Sequence, residues 1–183
     1  MLNGIRIEAI DPAQVPSAPR FAGTFLGAFR TVRLFGPCHL IRLVAGHRFQ
    51  QERPGDYWME ANLFQQARQA AARDLGRQQI EPGKRPGYAG MIVRFLLRDQ
   101  LAVSRDWSDL DMFVTLNLPQ GSSVLALIGQ AKMQPYYSPQ DPAHDGAEAV
   151  GIRLPGLGTQ IVIDFQLPEN RQAASLVSPP MGF

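Results

Sequence analysis

The stretch from Met59 to Gln79 constrains the fold most, because it holds no proline and no glycine before Gly76, while the chain around it is broken into short pieces. It is built mainly from Ala, Gln, Arg, Leu and Glu, which favour helix. Leu63, Ala67, Ala70, Ala71 and Leu75 recur at helical spacing, so one long helix is expected, stopped by Gly76 and then Pro82-Gly83. Glycine and proline number 17 and 15 in the whole chain, so the other elements must be short and joined by turns.

Those elements read mainly as strands. Ile5 to Ile10 alternates apolar and polar residues and suits one strand, after which Asp11-Pro12 and the Pro16/Pro19 stretch make residues 1–30 an N-terminal arm or edge strand. Leu40-Ile41-Arg42-Leu43-Val44 looks like a buried strand with an arginine inside it. Met91 to Leu97 reads as a strand, or as a short helix. Met112 to Pro119 and Ser123 to Gln130 are two further strands, expected to form a hairpin or near-hairpin about Gln120-Gly121-Ser122. A turn is expected at Trp107–Asp111 and a long polar loop from Pro135 to Gly151; Ile152 to Ile163 is then a Gly-rich approach to a strand. The tail from Gln166 looks weakly ordered. Strands outnumber helices without alternating with them, so the class is α+β with a mainly antiparallel sheet.

A chain of 183 residues fits one domain, and its 45% apolar and 19% charged content excludes an intrinsically disordered chain. Eighteen basic against 16 acidic residues leave a net charge of +2, too small to argue for a nucleic-acid partner. The single cysteine, Cys38, rules out an internal disulfide. No apolar run approaches about 18 residues, and Met1 to Arg6 lacks the order of a secretory signal, so the expectation is a soluble protein with no membrane partner. His39, His47, His144 and Cys38 form no spaced ligand set, so no metal is expected.

Three places could carry chemistry. Arg42 inside an aliphatic run is costly unless its guanidinium is paired or meets an anion; the alternative is an arginine on the solvent face of an edge strand. Tyr57 and Trp58 follow the Pro54-Gly55 turn, either as a stacking platform or as packing. Gln160 follows Gly156 and Gly158, where small residues allow a ligand to approach the backbone, or it is a polar residue opening a strand.

Taken in order, these pieces resemble the NAD-consuming polymorphic toxin domains of the ADP-ribosyltransferase fold. Leu40-Ile41-Arg42-Leu43 is similar to the family's first-strand aliphatic-Arg motif, and Gly55-Asp56-Tyr57-Trp58 to its Gly-x-Tyr-Trp segment. The stretch Leu101–Trp107, the strand ending in Pro119-Gln120-Gly121 and the strand Ala126–Ala131 resemble the parts between, and Leu154 to Gln160 resembles the terminal Gly-Gly-Gly-x-Gln motif. The resemblance covers about residues 31–165, the catalytic domain it implies, with 166–183 as a C-terminal tail.

That resemblance implies split, mainly antiparallel sheets with one long helix, and NAD+ as substrate with no further cofactor. Arg42, or Arg48 nearer Tyr57, would clamp phosphate oxygens by its fork of donors. Tyr57, with Trp58, would face the nicotinamide ring, and Gly156 and Gly158 would line its approach. Gln160 would bind the ribose hydroxyls and orient the attacking water. Protein-modifying relatives usually place a Glu there, so Gln160 favours NAD+ glycohydrolase over ADP-ribosyltransferase, unless Glu60 or Glu148 enters the site. A non-catalytic binding module on the same fold is the third reading. A toxin of this kind is expected to have a cognate immunity protein and to reside in the producer's cytoplasm, delivered without a signal peptide into that of a target cell.

Overall fold

Two strands of this chain, Cys38–Val44 and Ser123–Gln130, are largely buried on both faces, which is why they read as apolar runs and why they lie inside the sheet rather than at its edge. In the computed structural model, which describes residues 4–77, 88–101, 103, 110–135, 153–156 and 158–182, they are β3 and β6. The other strands are β1 (Arg6–Ala9), β2 (Arg30–Phe35), β4 (Tyr57–Glu60), β5 (Met112–Leu118), β7 (Gln134–Pro135), β8 (Arg153–Leu154) and β9 (Thr159–Val162). The helices are α1 (Ala18–Phe21), α2 (Ala61–Arg77), α3 (Tyr88–Leu101) and α4 (Pro168–Arg171).

Seven strands form one antiparallel sheet in the order β1-β2-β6-β9-β4-β3-β5, and β7 pairs with β8 apart from it. The fold is therefore α+β with antiparallel sheet. Pairing is uneven along this order. β3 pairs with β5 from Cys38↔Leu118 to Val44↔Met112, whereas β3 meets β4 only at Leu40↔Glu60 and Ile41↔Met59. β4 in turn meets β9 only at Tyr57↔Val162 and Trp58↔Ile161. β4 is thus a narrow bridge between two better-paired halves.

On one face, side chains from both halves meet in a single core: Val32, Leu34, Ala126, Ile128 and Ile161 from one, Leu40, Val44, Val114 and Leu116 from the other, closed by Phe165, Ala173 and Val177. On the opposite face two separate clusters form. Helices α2 and α3 cover Ile41, Leu43 and Met59 through Phe64, Ala67, Ala71, Val93 and Leu97. The N-terminal segment covers Leu125, Leu127 and Val162 through Val15, Ala18, Phe21 and Phe25. Among the described residues no helix is long and apolar enough to cross a membrane.

Three expectations need correction. Met91–Leu97 is helical, within α3, so the described residues hold two long helices rather than one. Val93 and Leu97 bury one side while Met91 and Phe95 stand 49% and 57% exposed on the other, and apolar residues on both sides hide the helical period. The turn at Pro119–Ser122 exists, with Ser122 N–H donating to the Pro119 carbonyl at 3.1 Å, but β5 and β6 do not pair with each other. The turn carries the chain from one half of the sheet to the other. The segment from Gln166 is built into the fold: Asn170 in α4 is 0% exposed and hydrogen-bonds both the N–H and the carbonyl of Leu125. Residues 1–30 supply both edge strand β1 and the N-terminal core cluster. Trp107–Asp109 of the expected turn, the loop from Pro135 to Gly151 beyond Pro135, and Leu157 lie outside the described residues.

Candidate functional site

Between the α2/α3 cluster and the N-terminal cluster lies a cavity of about 320 Å³, lined along β4 by Tyr57, Trp58 and Met59. Its position follows from register. The β3–β4 pairing ends at Ile41↔Met59, and the next residue of β3 is Arg42, which stands where the two strands cease to pair.

Arg42 Nη1 donates to the Tyr57 carbonyl oxygen at 3.4 Å, a long bond, and its buried Nε has no hydrogen-bond partner among the described residues. The guanidinium packs on Gly55, whose φ of +85° only glycine adopts without strain. Burial pushes the Arg42 pKa down, with the charges of Asp56 and Tyr57 opposing it. A desolvated cation with an orphan donor is suited to meet an anion.

Tyr57 opens β4 and is 39% exposed, with its ring edge-on to Phe21 at 6.1 Å between centroids. Burial, and then the neighbouring Asp56 charge, raise its phenol pKa, so it is a neutral ring at physiological pH. Gln160 lies in β9 on the face shared with Val162, the reverse of Ile161 and Ile163 in the main core. It is 7% exposed, and its carboxamide makes no hydrogen bond to another described residue.

Arg42, Tyr57 and Gln160 all line the cavity. Leu43, Met59, Leu101, Val103 and Leu110 give it an apolar wall, and Thr24, Lys132 and Gln134 complete the polar side. No carboxylate lines it among the described residues. The site therefore offers two cations, two carboxamides and an aromatic face beside a dry wall, a set that fits an anionic ligand carrying a planar ring.

The remaining candidates are placed differently. Trp58 touches the cavity, but its indole is 1% exposed in the main core, edge-on to Phe165, with Nε1–H donating to the Gly55 carbonyl at 3.0 Å. Its role is to hold the turn that carries Tyr57. Arg48 is exposed in a 3-10 turn, Nε donating to His47 Nε2 at 3.1 Å, and does not line the cavity. Between the two arginines considered, the cavity holds Arg42. Gly156 and Gly158 do not line it either. Their missing side chains make room for protein: Gly156 N–H donates to the Asp99 carbonyl at 2.9 Å and Gly158 N–H to that of Gln100 at 2.8 Å. A Cβ on Gly158 would stand 2.7 Å from the Gln100 oxygen, so the motif docks the end of α3. Glu60 does not line the cavity, and Glu148 lies outside the described residues.

Sequence reasoning missed Lys132 and Thr24, joined by Lys132 N–H donating to the Thr24 carbonyl at 3.0 Å. No pattern marks either one, since the contact joins the end of β6 to the N-terminal segment. Among the described residues no group of three metal-ligating side chains stands together. Compared with known proteins, the chain matches no protein-family model, no curated protein and no solved structure.

Proposed function

We propose that this cavity binds NAD+ and hydrolyses its nicotinamide–ribose bond, so that the protein is an NAD+ glycohydrolase of the ADP-ribosyltransferase type. One observation carries the reading: Arg42, Tyr57 and Gln160, the three residues on which the family resemblance turns, sit on the adjacent strands β3, β4 and β9 and line one cavity.

The chemistry follows from those groups. Breaking the N-glycosidic bond develops positive charge on the ribose carbon and releases neutral nicotinamide, with water supplying the new C–O bond and a proton leaving to solvent. Tyr57 and the apolar wall of Leu43, Met59 and Leu110 take the departing ring and exclude bulk water around it. Arg42, whose side chain lines the cavity, holds the diphosphate through its guanidinium, anchoring the substrate while the ribose reacts. Gln160 donates to and accepts from the ribose hydroxyls, holding the sugar and the incoming water in line. The cavity lies at the small end of the range for ligand pockets, enough for the reacting half of a dinucleotide.

Water is favoured as acceptor because no carboxylate among the described lining residues is available to activate a protein nucleophile. Loss of NAD+ would make the protein a toxin in a target cell's cytoplasm, and its producer would need an immunity protein that occupies this cleft. The test is chromatography of NAD+ incubated with purified protein. Free ADP-ribose and nicotinamide in equal amounts support the reading. ADP-ribose attached to a protein or nucleic acid, with little free product, moves the assignment to transferase.

A further inference from the structure

Asp56 stands between two arginines of unequal role. Its Oδ2 accepts from Arg20 Nη2 at 2.9 Å, its carbonyl accepts from Ile163 N–H at 2.8 Å, and it follows Gly55, on which the Arg42 guanidinium rests. Arg20 also lies over the Phe21 ring at 4.4 Å, and Phe21 meets Tyr57 edge-on. Two routes therefore run from the N-terminal segment to the site: Arg20 to Asp56, and Arg20 through Phe21 to Tyr57. Residues 55–57 thus form a turn held from one side by α1 and leaned on from the other by Arg42.

We propose that Asp56 is a positioning residue, and that the Arg20–Asp56 ion pair clamps the Gly55–Tyr57 turn so that the Arg42 guanidinium and the Tyr57 ring keep their places in the cavity. This rests on the reading of Arg42 as the group that meets phosphate. An isolated pair of this kind, with side chains 52% and 25% exposed, contributes little to stability. Stability alone gives Asp56 no reason to be there: it is partly desolvated, lies near Asp164, and its carboxyl pKa is raised despite its two arginines. A charge held against its own preference beside Arg42 fits a residue kept for the site rather than for the fold.

The experiment measures inorganic pyrophosphate affinity by calorimetry, NAD+ turnover and thermal unfolding for wild type, Arg20→Ala, Asp56→Asn, Asp56→Ala, the Arg20→Ala/Asp56→Ala double variant and the exchanged pair Arg20→Asp/Asp56→Arg. Pyrophosphate affinity is expected to fall about tenfold in Asp56→Asn, with KM rising in step, kcat little changed and the unfolding midpoint unchanged or higher. The double variant should be no weaker than Asp56→Ala, and the exchanged pair should recover part of the loss. Wild-type affinity in Asp56→Asn, additive effects in the double variant, or no pyrophosphate binding by wild type would each overturn the proposal. If Asp56→Asn fails to fold, the Arg20→Ala cycle and the exchanged pair still decide it. Pyrophosphate binding that depends on Asp56 in a protein that leaves NAD+ intact would sink the glycohydrolase reading and keep the clamp.

Discussion

The Arg42 guanidinium occupies the space a side chain on Gly55 would need: a Cβ there would stand 2.3 Å from the guanidinium carbon. The glycine is required twice over, by this contact and by its φ of +85°. Gly55→Ala is therefore expected to displace Arg42 and to destabilise the fold by about 1–2 kcal/mol through backbone strain. Calorimetry should show pyrophosphate affinity falling further than the modest drop in unfolding free energy explains. Unchanged affinity would mean that Arg42 does not meet the anion from this position.

Gly158 separates packing from binding. Its substitution by alanine drives a Cβ into the Gln100 carbonyl and should cost about 1–3 kcal/mol as α3 is pushed from β9. Urea unfolding checks this. Full stability with weakened NAD+ binding would restore the reading in which the glycine makes room for ligand.

Asn170 ties the C-terminal segment to the sheet. Besides its two bonds to Leu125, its Nδ2 donates to the Asp164 carbonyl at 3.0 Å, all fully buried. Asn170→Ala leaves buried backbone groups of β6 without partners and is expected to lower unfolding free energy by about 3 kcal/mol or more. A loss under about 1 kcal/mol, measured in denaturant, would show that the tail is dispensable.

Cys38 lies 4% exposed in the main core, and burial pushes its thiol up to about 11. Its reaction with thiol reagents at pH 8 should thus proceed only through unfolding. Because the folded value is raised, the stability that the protonated thiol contributes is intact below the ordinary value of 9.0 and is lost as pH climbs through about 11. The gap in stability between wild type and Cys38→Ala should narrow over that interval. Rapid labelling of the folded protein at pH 8 would contradict the burial.

Much of the fold was legible where one physical signal dominated. The helical period of Leu63 to Leu75 marked α2, and the buried runs marked β3 and β6. Met91–Leu97 was ambiguous because α3 carries apolar residues on its exposed side as well. The partners of β5 and β6 were not readable, since adjacency in sequence suggests a hairpin while their inward residues face one core from opposite halves of the sheet. At the site, Arg42, Tyr57 and Gln160 stood out as polar or aromatic residues within apolar or glycine-rich surroundings. Lys132, Thr24 and the Arg20–Asp56 pair did not, because each depends on a long-range contact made by the N-terminal segment. The glycines of the terminal motif were visible, but what fills the space beside them was not.

The most direct measurement is the rate of nicotinamide release from NAD+ by wild type, Arg42→Ala and Gln160→Ala, each first shown to be folded. Wild type should release nicotinamide continuously, Arg42→Ala should lose mainly in KM, and Gln160→Ala should lose about a hundredfold or more in kcat. Folded wild-type protein that releases none, or release undiminished in both variants, would contradict the assignment of this cavity.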